Sequence, residues 1–138
     1  MTARDFLEQY EEAVRVIRRC EREYRDEQLL IDTVRSLSDN DGMPHGSGIS
    51  KPTEAKAVRL ADKMLKIVQA RLDAIEIRQE VFDVINRVEG VAGDVLYERH
   101  IKLKKWKDIY KYLNYSETQA WRYYKDGLEA VEIILGIK

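Results

Sequence analysis

Residues 106–131, WKDIYKYLNYSETQAWRYYKDGLEAV, carry the reading on which the fold turns. Trp106 to Leu113 places Trp106, Ile109 and Tyr110 or Leu113 on one side of a short helix, which Asn114 and Tyr115 close as a turn. Ser116-Glu117-Thr118-Gln119 is then an S-x-x-Q capping box. In it the Ser116 hydroxyl accepts the amide of Gln119, and the Gln119 side chain reaches back to the amide of Ser116. The helix begun there continues from Ala120 to Ile134. Two short helices joined by a tight turn, the second capped and rich in Arg, Gln, Thr and aromatic groups, read as a helix-turn-helix.

Helical spacing divides the second of these helices into two faces. Ala120, Tyr124, Gly127 or Leu128, and Val131 recur at threes and fours and are expected to pack inward. Glu117, Thr118, Trp121, Arg122 and Lys125 then lie outward as candidate base-reading groups in a major groove. Arg122 suits a bidentate contact to guanine, Thr118 a hydrogen bond or a thymine methyl, and Glu117 the N4 amine of cytosine. Lys104, Lys105, Lys107 and Ser116 are the candidate phosphate contacts, which position a duplex without reading its sequence. Trp106 is expected in the core, and His100 has no evident role.

Upstream, Asp94 to Ile101 is expected to form another short helix with Val95, Leu96 and Ile101 inward, after EGVAG (Glu89–Gly93) ends the preceding long one. Gly and Pro are absent from Thr2 to Asp41, and then Gly42, Pro44, Gly46, Gly48 and Pro52 cluster before a second uninterrupted segment that runs to Gly90. The first segment carries a heptad stripe of Ala3, Phe6, Tyr10, Ala13, Ile17, Cys20, Tyr24, Glu27, Ile31 and Val34. The second carries Ala57, Leu60, Met64, Ile67, Arg71, Ala74, Arg78, Val81, Ile85 and Val88. Glu27, Arg71 and Arg78 interrupt the stripes, which suggests a locally hydrated seam or a second partner. Each segment predicts a helix of about 35 residues, roughly 50 Å long, with a stripe too narrow for a lone core helix. Pro52-Thr53-Glu54 reads as a helix start.

The expected fold is all-α: a long antiparallel coiled-coil helical hairpin followed by a small C-terminal helix-turn-helix lobe. The hairpin spans residues 1–89, with helices at about 3–37 and 53–88 and a loop at 38–52, and the lobe spans 90–138. Pairing of the heptads between two chains satisfies the same pattern, so a homo-oligomer through the long helices is also expected.

Composition narrows the function. The 138 residues are 36% charged and 44% hydrophobic, which is too apolar for a disordered chain. The net charge of −1 conceals a division along the sequence. Residues 97–125 hold eight basic side chains against three acidic ones, together with six of the eight tyrosines and both tryptophans. A basic, aromatic lobe on an acidic body is a footprint for a polyanion. The single Cys20 excludes an internal disulfide, and His45 and His100 lack metal-ligand spacing, so neither a metal nor a cofactor is expected. Cys20 has no nearby base, and it reads as a small buried apolar group. Glu11/Glu12 and Asp26/Glu27 are adjacent on helices and diverge, and GMPHGSG lacks the Lys-Ser/Thr ending of a phosphate loop. No enzyme is expected. The N-terminal MTARDFLEQYEE has no apolar leader core, and no stretch reaches the ~18 apolar residues of a membrane span, so a cytoplasmic, reducing setting without membrane partners is expected.

Tyr97–Val131, YERHIKLKKWKDIYKYLNYSETQAWRYYKDGLEAV, resembles the C-terminal helix-turn-helix of small phage transcriptional regulators of the RinA/ArpU kind, a domain similar to region 4 of bacterial sigma-70 factors. Trp106, Ile109, Leu113, Tyr115, Ser116, Gln119, Trp121, Arg122 and Leu128 stand at the matching places. Gly42–Leu60, GMPHGSGISKPTEAKAVRL, resembles the loop before the second helix in those proteins. The chain departs from the pattern at Tyr110, where a small residue is usual, at Thr118, where an arginine is common, and at Gly127. The resemblance implies a DNA-binding regulator of phage or prophage late genes in the cytoplasm of a Gram-positive host. Double-stranded DNA is its implied partner, and the hairpin is expected to serve dimerisation or contact with host RNA polymerase. Two other readings suit the same pattern: a helical protein-interaction module acting as inhibitor or adaptor, and a phage DNA-packaging small subunit.

Overall fold

A computed structural model describes residues 1–39 and 51–137, with side chains described through residue 33 and from residue 54. Every regular element among the described residues is helical: α1 (Ala3–Asp39), α2 (Lys51–Asn86), α3 (Gly90–Leu96), a five-residue π-helical turn (Tyr97–Ile101), α4 (Trp106–Leu113) and α5 (Glu117–Leu135). The protein is all-α. No helix among the described residues is long and apolar enough to cross a membrane. Most of the expected loop, including His45, lies outside the described residues, as does the side chain of Val34.

The described residues form two compact units, Met1–Arg15 with Ala74–Lys138, and Val16–Asp73. The sequence suggested a division at 89/90. The packing groups the residues otherwise, because Ala3, Phe6 and Leu7 of α1 and Val81, Val84 and Ile85 of α2 share one core with Val95, Leu96, Tyr124 and Val131. A reciprocal cap starts α1: Thr2 Oγ1 accepts the amide of Asp5 at 3.1 Å, and the Asp5 carboxylate accepts the amide of Thr2 at 3.2 Å. Donation to the carboxylate from Thr2, its backbone amide above all, favours the ionised form and holds the Asp5 pKa below its ordinary value.

In the second unit the α1 stripe is buried at Ile17, Cys20 and Glu27, and the α2 stripe at Ile67. Two polar interruptions of the stripes are met by ion pairs between the helices. Lys63 Nζ lies 2.5 Å from the Glu27 carboxylate, and Arg71 lies 3.2 Å from that of Glu21. Glu27 is only 8% exposed, so its charge is kept out of water largely at the expense of this one partner. Tyr24, expected on the packed stripe, is exposed, and so is Ala57.

The connection after α2 differs from the expected one. α2 ends at Asn86, two residues early, and α3 begins at Gly90, inside the segment expected to be a terminator. Arg87 and Val88 donate to Val84 and Ile85 three residues back and tighten the last turn, and Gly90 takes a left-handed φ of 77°. Gly93 is a packing residue: a Cβ there would stand 2.2 Å from the carbonyl oxygen of Val88. α3 then crosses α5 where Gly127 meets Leu96, whose side chain would lie 2.9 Å from a Cβ at 127. Gly93 and Gly127 therefore set how closely α3 approaches the end of α2 and α5.

The π turn prolongs α3 without a break, and the Lys102 amide donates to Tyr97 O, five residues back. α4 matches the expected span and ends at Asn114, which adopts the left-handed conformation with φ 59°. α5 opens with the expected Ser116–Gln119 capping box and closes at Gly136.

Gly93→Ala is expected to destabilise the protein by about 2 to 3 kcal/mol, because backbone rather than a flexible side chain must move. Urea unfolding followed by circular dichroism measures this, and an unchanged midpoint would show that Gly93 is not needed for close approach.

Candidate nucleic-acid interface

Local chemistry orients α5. The Ser116 hydroxyl accepts the Gln119 amide at 3.2 Å, and Gln119 Oε1 accepts the Ser116 amide at 3.2 Å. With the first turn fixed, Ala120, Tyr124, Gly127 and Val131 are buried, as their spacing predicted, and Leu128 is half-buried. The opposite side is open. Glu117, Thr118, Trp121, Arg122 and Lys125 are all exposed on it, so all five candidate base-reading residues share one accessible face.

The junction of α4 with α5 is aromatic. Trp106 is half-buried, with its ring edge-on to Tyr124 at 4.8 Å and to Trp121 at 5.7 Å, while Tyr110 stacks on it at 6.1 Å. Such pairs add about 0.5 to 1.5 kcal/mol each beyond area burial. Tyr110, large where the resembled family has a small residue, is accommodated on the flank of this cluster. Trp121 packs one side against Trp106 and Tyr124 and remains 43% exposed, with Lys125 Nζ 5.9 Å from its ring centre. The Arg99 guanidinium lies 5.1 Å from the Trp106 ring centre, a cation–π contact that ties the π turn to α4.

The candidate phosphate contacts fall into different environments. Lys105 and Lys107 are exposed, one at the cap and one in the first turn of α4, and among the described residues neither is in an ion pair. Lys104 is half-buried and engaged internally: its Nζ lies 2.7 Å from the Glu98 carboxylate and 3.6 Å from the Tyr112 ring centre. Ser116 is exposed, but its hydroxyl already serves the cap. The turn that carries these lysines is pinned. Arg99 donates to Lys104 O at 3.0 Å, the Lys104 amide donates to Glu98 O at 3.1 Å, and Leu103 takes a left-handed φ of 57°, uncommon for a residue with a side chain.

His100, unassigned from sequence, is a structural member of this lobe. It is 6% exposed, its Nε2 lies 3.0 Å from the Tyr124 hydroxyl, and the two rings stack at 5.7 Å. Burial, with Arg99 and Arg4 adding to it and Glu11 opposing, lowers its pKa to about 4. The pair floors a polar cleft of about 440 Å³ whose rim includes Arg4, Glu8, Glu11 and Arg15. No cluster of three His, Cys, Asp or Glu side chains suited to a metal occurs among the described residues. Cys20 is buried. Sequence reading missed the π turn's side chains, and only their place inside the basic window pointed to them.

The sign of the His100 effect follows from its lowered pKa. Unfolded chains take up the proton near pH 6.5 and the folded lobe only near 4, so its contribution is complete above about 6.5 and is lost as pH falls towards 4. The loss amounts to about 3 kcal/mol at most. Thermal melts between pH 7 and 4.5 are expected to show the wild type losing stability more steeply than His100→Gln. Parallel pH profiles would remove His100 as the titrating group.

Comparison with protein-family models, curated proteins and solved structures gave no match.

Proposed function

We propose that this chain is a sequence-specific DNA-binding transcriptional regulator in which α4 and α5 act as a helix-turn-helix and α5 enters the major groove. The observation that carries the reading is the single exposed face of α5, where Glu117, Thr118, Trp121, Arg122 and Lys125 stand together beside exposed Lys105 and Lys107. On this reading Arg122 reads guanine through O6 and N7, Thr118 meets a thymine methyl, and Glu117 accepts from cytosine N4. Lys105 and Lys107 hold phosphates and set the register. Lys104 is assigned a supporting part, since its ammonium is already spent on Glu98. The assignment to phage or prophage late genes and to the cytoplasm of a bacterial host rests on the resemblance of Tyr97–Val131 alone, and contact with host RNA polymerase is a role for the long helices.

The long helices complete the proposal as an antiparallel coiled-coil hairpin. In the second unit Glu27 meets Lys63 and Glu21 meets Arg71, so the α2 partner advances as the α1 residue recedes. The hairpin has no catalytic part in this reading, and the protein is not an enzyme.

One observation favours a second reading. Trp121 is 43% exposed at the centre of the α5 face, and half-exposed tryptophans commonly anchor protein partners. A helical interaction module, as inhibitor or adaptor, would use the same face without base readout. A packaging small subunit would also use it on DNA, as a ring rather than as a small closed oligomer.

Binding of the purified chain to a fragment library of its source genome, at two salt concentrations, separates these. Arg122→Ala is expected to cost about 1 to 3 kcal/mol at the preferred fragment and to leave bulk DNA binding nearly intact. Lys105→Ala should weaken binding to every fragment and reduce the salt slope by about one. Unchanged binding in both variants would remove the proposed face, and binding to no fragment would turn the assignment to a protein partner.

A further inference from the structure

Of the five candidate base-reading residues, Trp121 alone carries an aromatic ring, and that ring is seated rather than free. It lies edge-on to Trp106 at 5.7 Å and tilted against Tyr124 at 5.5 Å, while Trp106 and Tyr124 meet edge-on at 4.8 Å. Tyr124 is buried, with its hydroxyl 3.0 Å from His100 Nε2, so the support beneath the indole belongs to the core. Turning the indole away from an incoming surface would forfeit both ring contacts. The part of it that stays exposed is therefore presented at a fixed place.

The other four readers surround it along the helix. Glu117 and Thr118 stand four and three residues before it, Arg122 follows it and Lys125 lies four residues on, and all of them are exposed. Exposed Lys105, Lys107 and Asp108 adjoin Trp106 at the start of α4. A duplex edge seated on these groups covers the indole as well.

What that edge must offer follows from the chemistry of an indole, which has an apolar ring, one N–H donor and no acceptor. Adenine and cytosine present amine donors in the major groove, and burying a donor against a ring that cannot accept from it costs free energy. Guanine presents two acceptors and no apolar group. Thymine sets its C5-methyl beside the O4 acceptor, which matches an apolar ring with one donor. 5-Methylcytosine carries the same methyl beside a donor amine.

We propose that Trp121 is a specificity-determining residue that reads the C5-methyl group of a pyrimidine in the major groove, with thymine favoured by its adjacent O4. The inference rests on the reading of α5 as the groove-entering helix and supplies the chemistry of its aromatic reader.

The first test is made on the DNA, where no variant can misfold. In the fragment that the wild type prefers, each thymine in turn is replaced by deoxyuridine, which removes the methyl and nothing else. One such replacement is expected to weaken binding about fourfold, the equivalent of one buried carbon. Trp121→Ala should make that replacement silent, whereas Thr118→Ser, which removes only the threonine methyl, should not. At the same position 5-methylcytosine should bind better than cytosine and worse than thymine. A 5-methylcytosine that outranks thymine would keep the methyl contact and overturn the choice of thymine. 5-Iododeoxyuridine there, with iodine in the place of the methyl, should couple the wild type to the DNA at Trp121 on irradiation, as located by mass spectrometry. Selective binding in which no deoxyuridine costs affinity, in which the loss persists in Trp121→Ala, or in which the crosslink lies at another residue would overturn the inference and leave readout by Arg122 standing. Binding without sequence preference, or to no DNA at all, would overturn the reading of α5 and this inference with it.

Discussion

Close approach of α3 to α5 is the constraint on which the lobe depends. Gly127 leaves room for the fully buried Leu96, and that crossing selects Ala120, Tyr124 and Val131 as the inward face of α5. Rotation of α5 about its axis is thereby settled, and with it the identity of every outward residue. A helix with the same composition seated a third of a turn differently would hide Arg122 or expose Tyr124. The capping box at Ser116 acts in the same sense from the other end, fixing where the first turn starts. Which positions of α5 face solvent is therefore a consequence of packing on its opposite side.

Local signals were legible and distant ones were not. The span of α4, the Ser116–Gln119 cap, and the inward set on α5 depend on residues within four of each other, so periodicity and capping chemistry exposed them. The π turn did not announce itself, because an extra residue per turn leaves no mark in an apolar pattern. Its three polar side chains find partners that only folding brings close. Glu98 meets Lys104, Arg99 meets Trp106, and His100 meets Tyr124, twenty-four residues on. The segment EGVAG was misread for a related reason: glycine marks flexibility in a sequence, and Gly93 is present here because the carbonyl of Val88 occupies the space of a side chain.

The long helices show how far a heptad can mislead. Its stripe located Ile17, Cys20 and Ile67 in the core, yet Tyr24 on the same stripe is exposed. A one-residue offset also produces a second apolar line on α2, which periodicity alone does not distinguish from the first. Charges mark the first line instead: Glu27 with Lys63 and Glu21 with Arg71 belong to the pairing of α1 with α2. Polar interruptions in such seams cost stability and define which helix sits opposite which.

The two tryptophans of the chain lie edge to face, 5.7 Å apart, one half-buried in α4 and the other reaching solvent from α5. With no other indole present, the tryptophan emission of the chain, excited at wavelengths where tyrosine hardly absorbs, originates at this single junction. Its emission is dominated by an environment that any ligand on the α5 face must alter, by excluding water from Trp121 or by stacking against it. The protein thus carries, without labelling, a tryptophan reporter confined to the junction of α4 with α5.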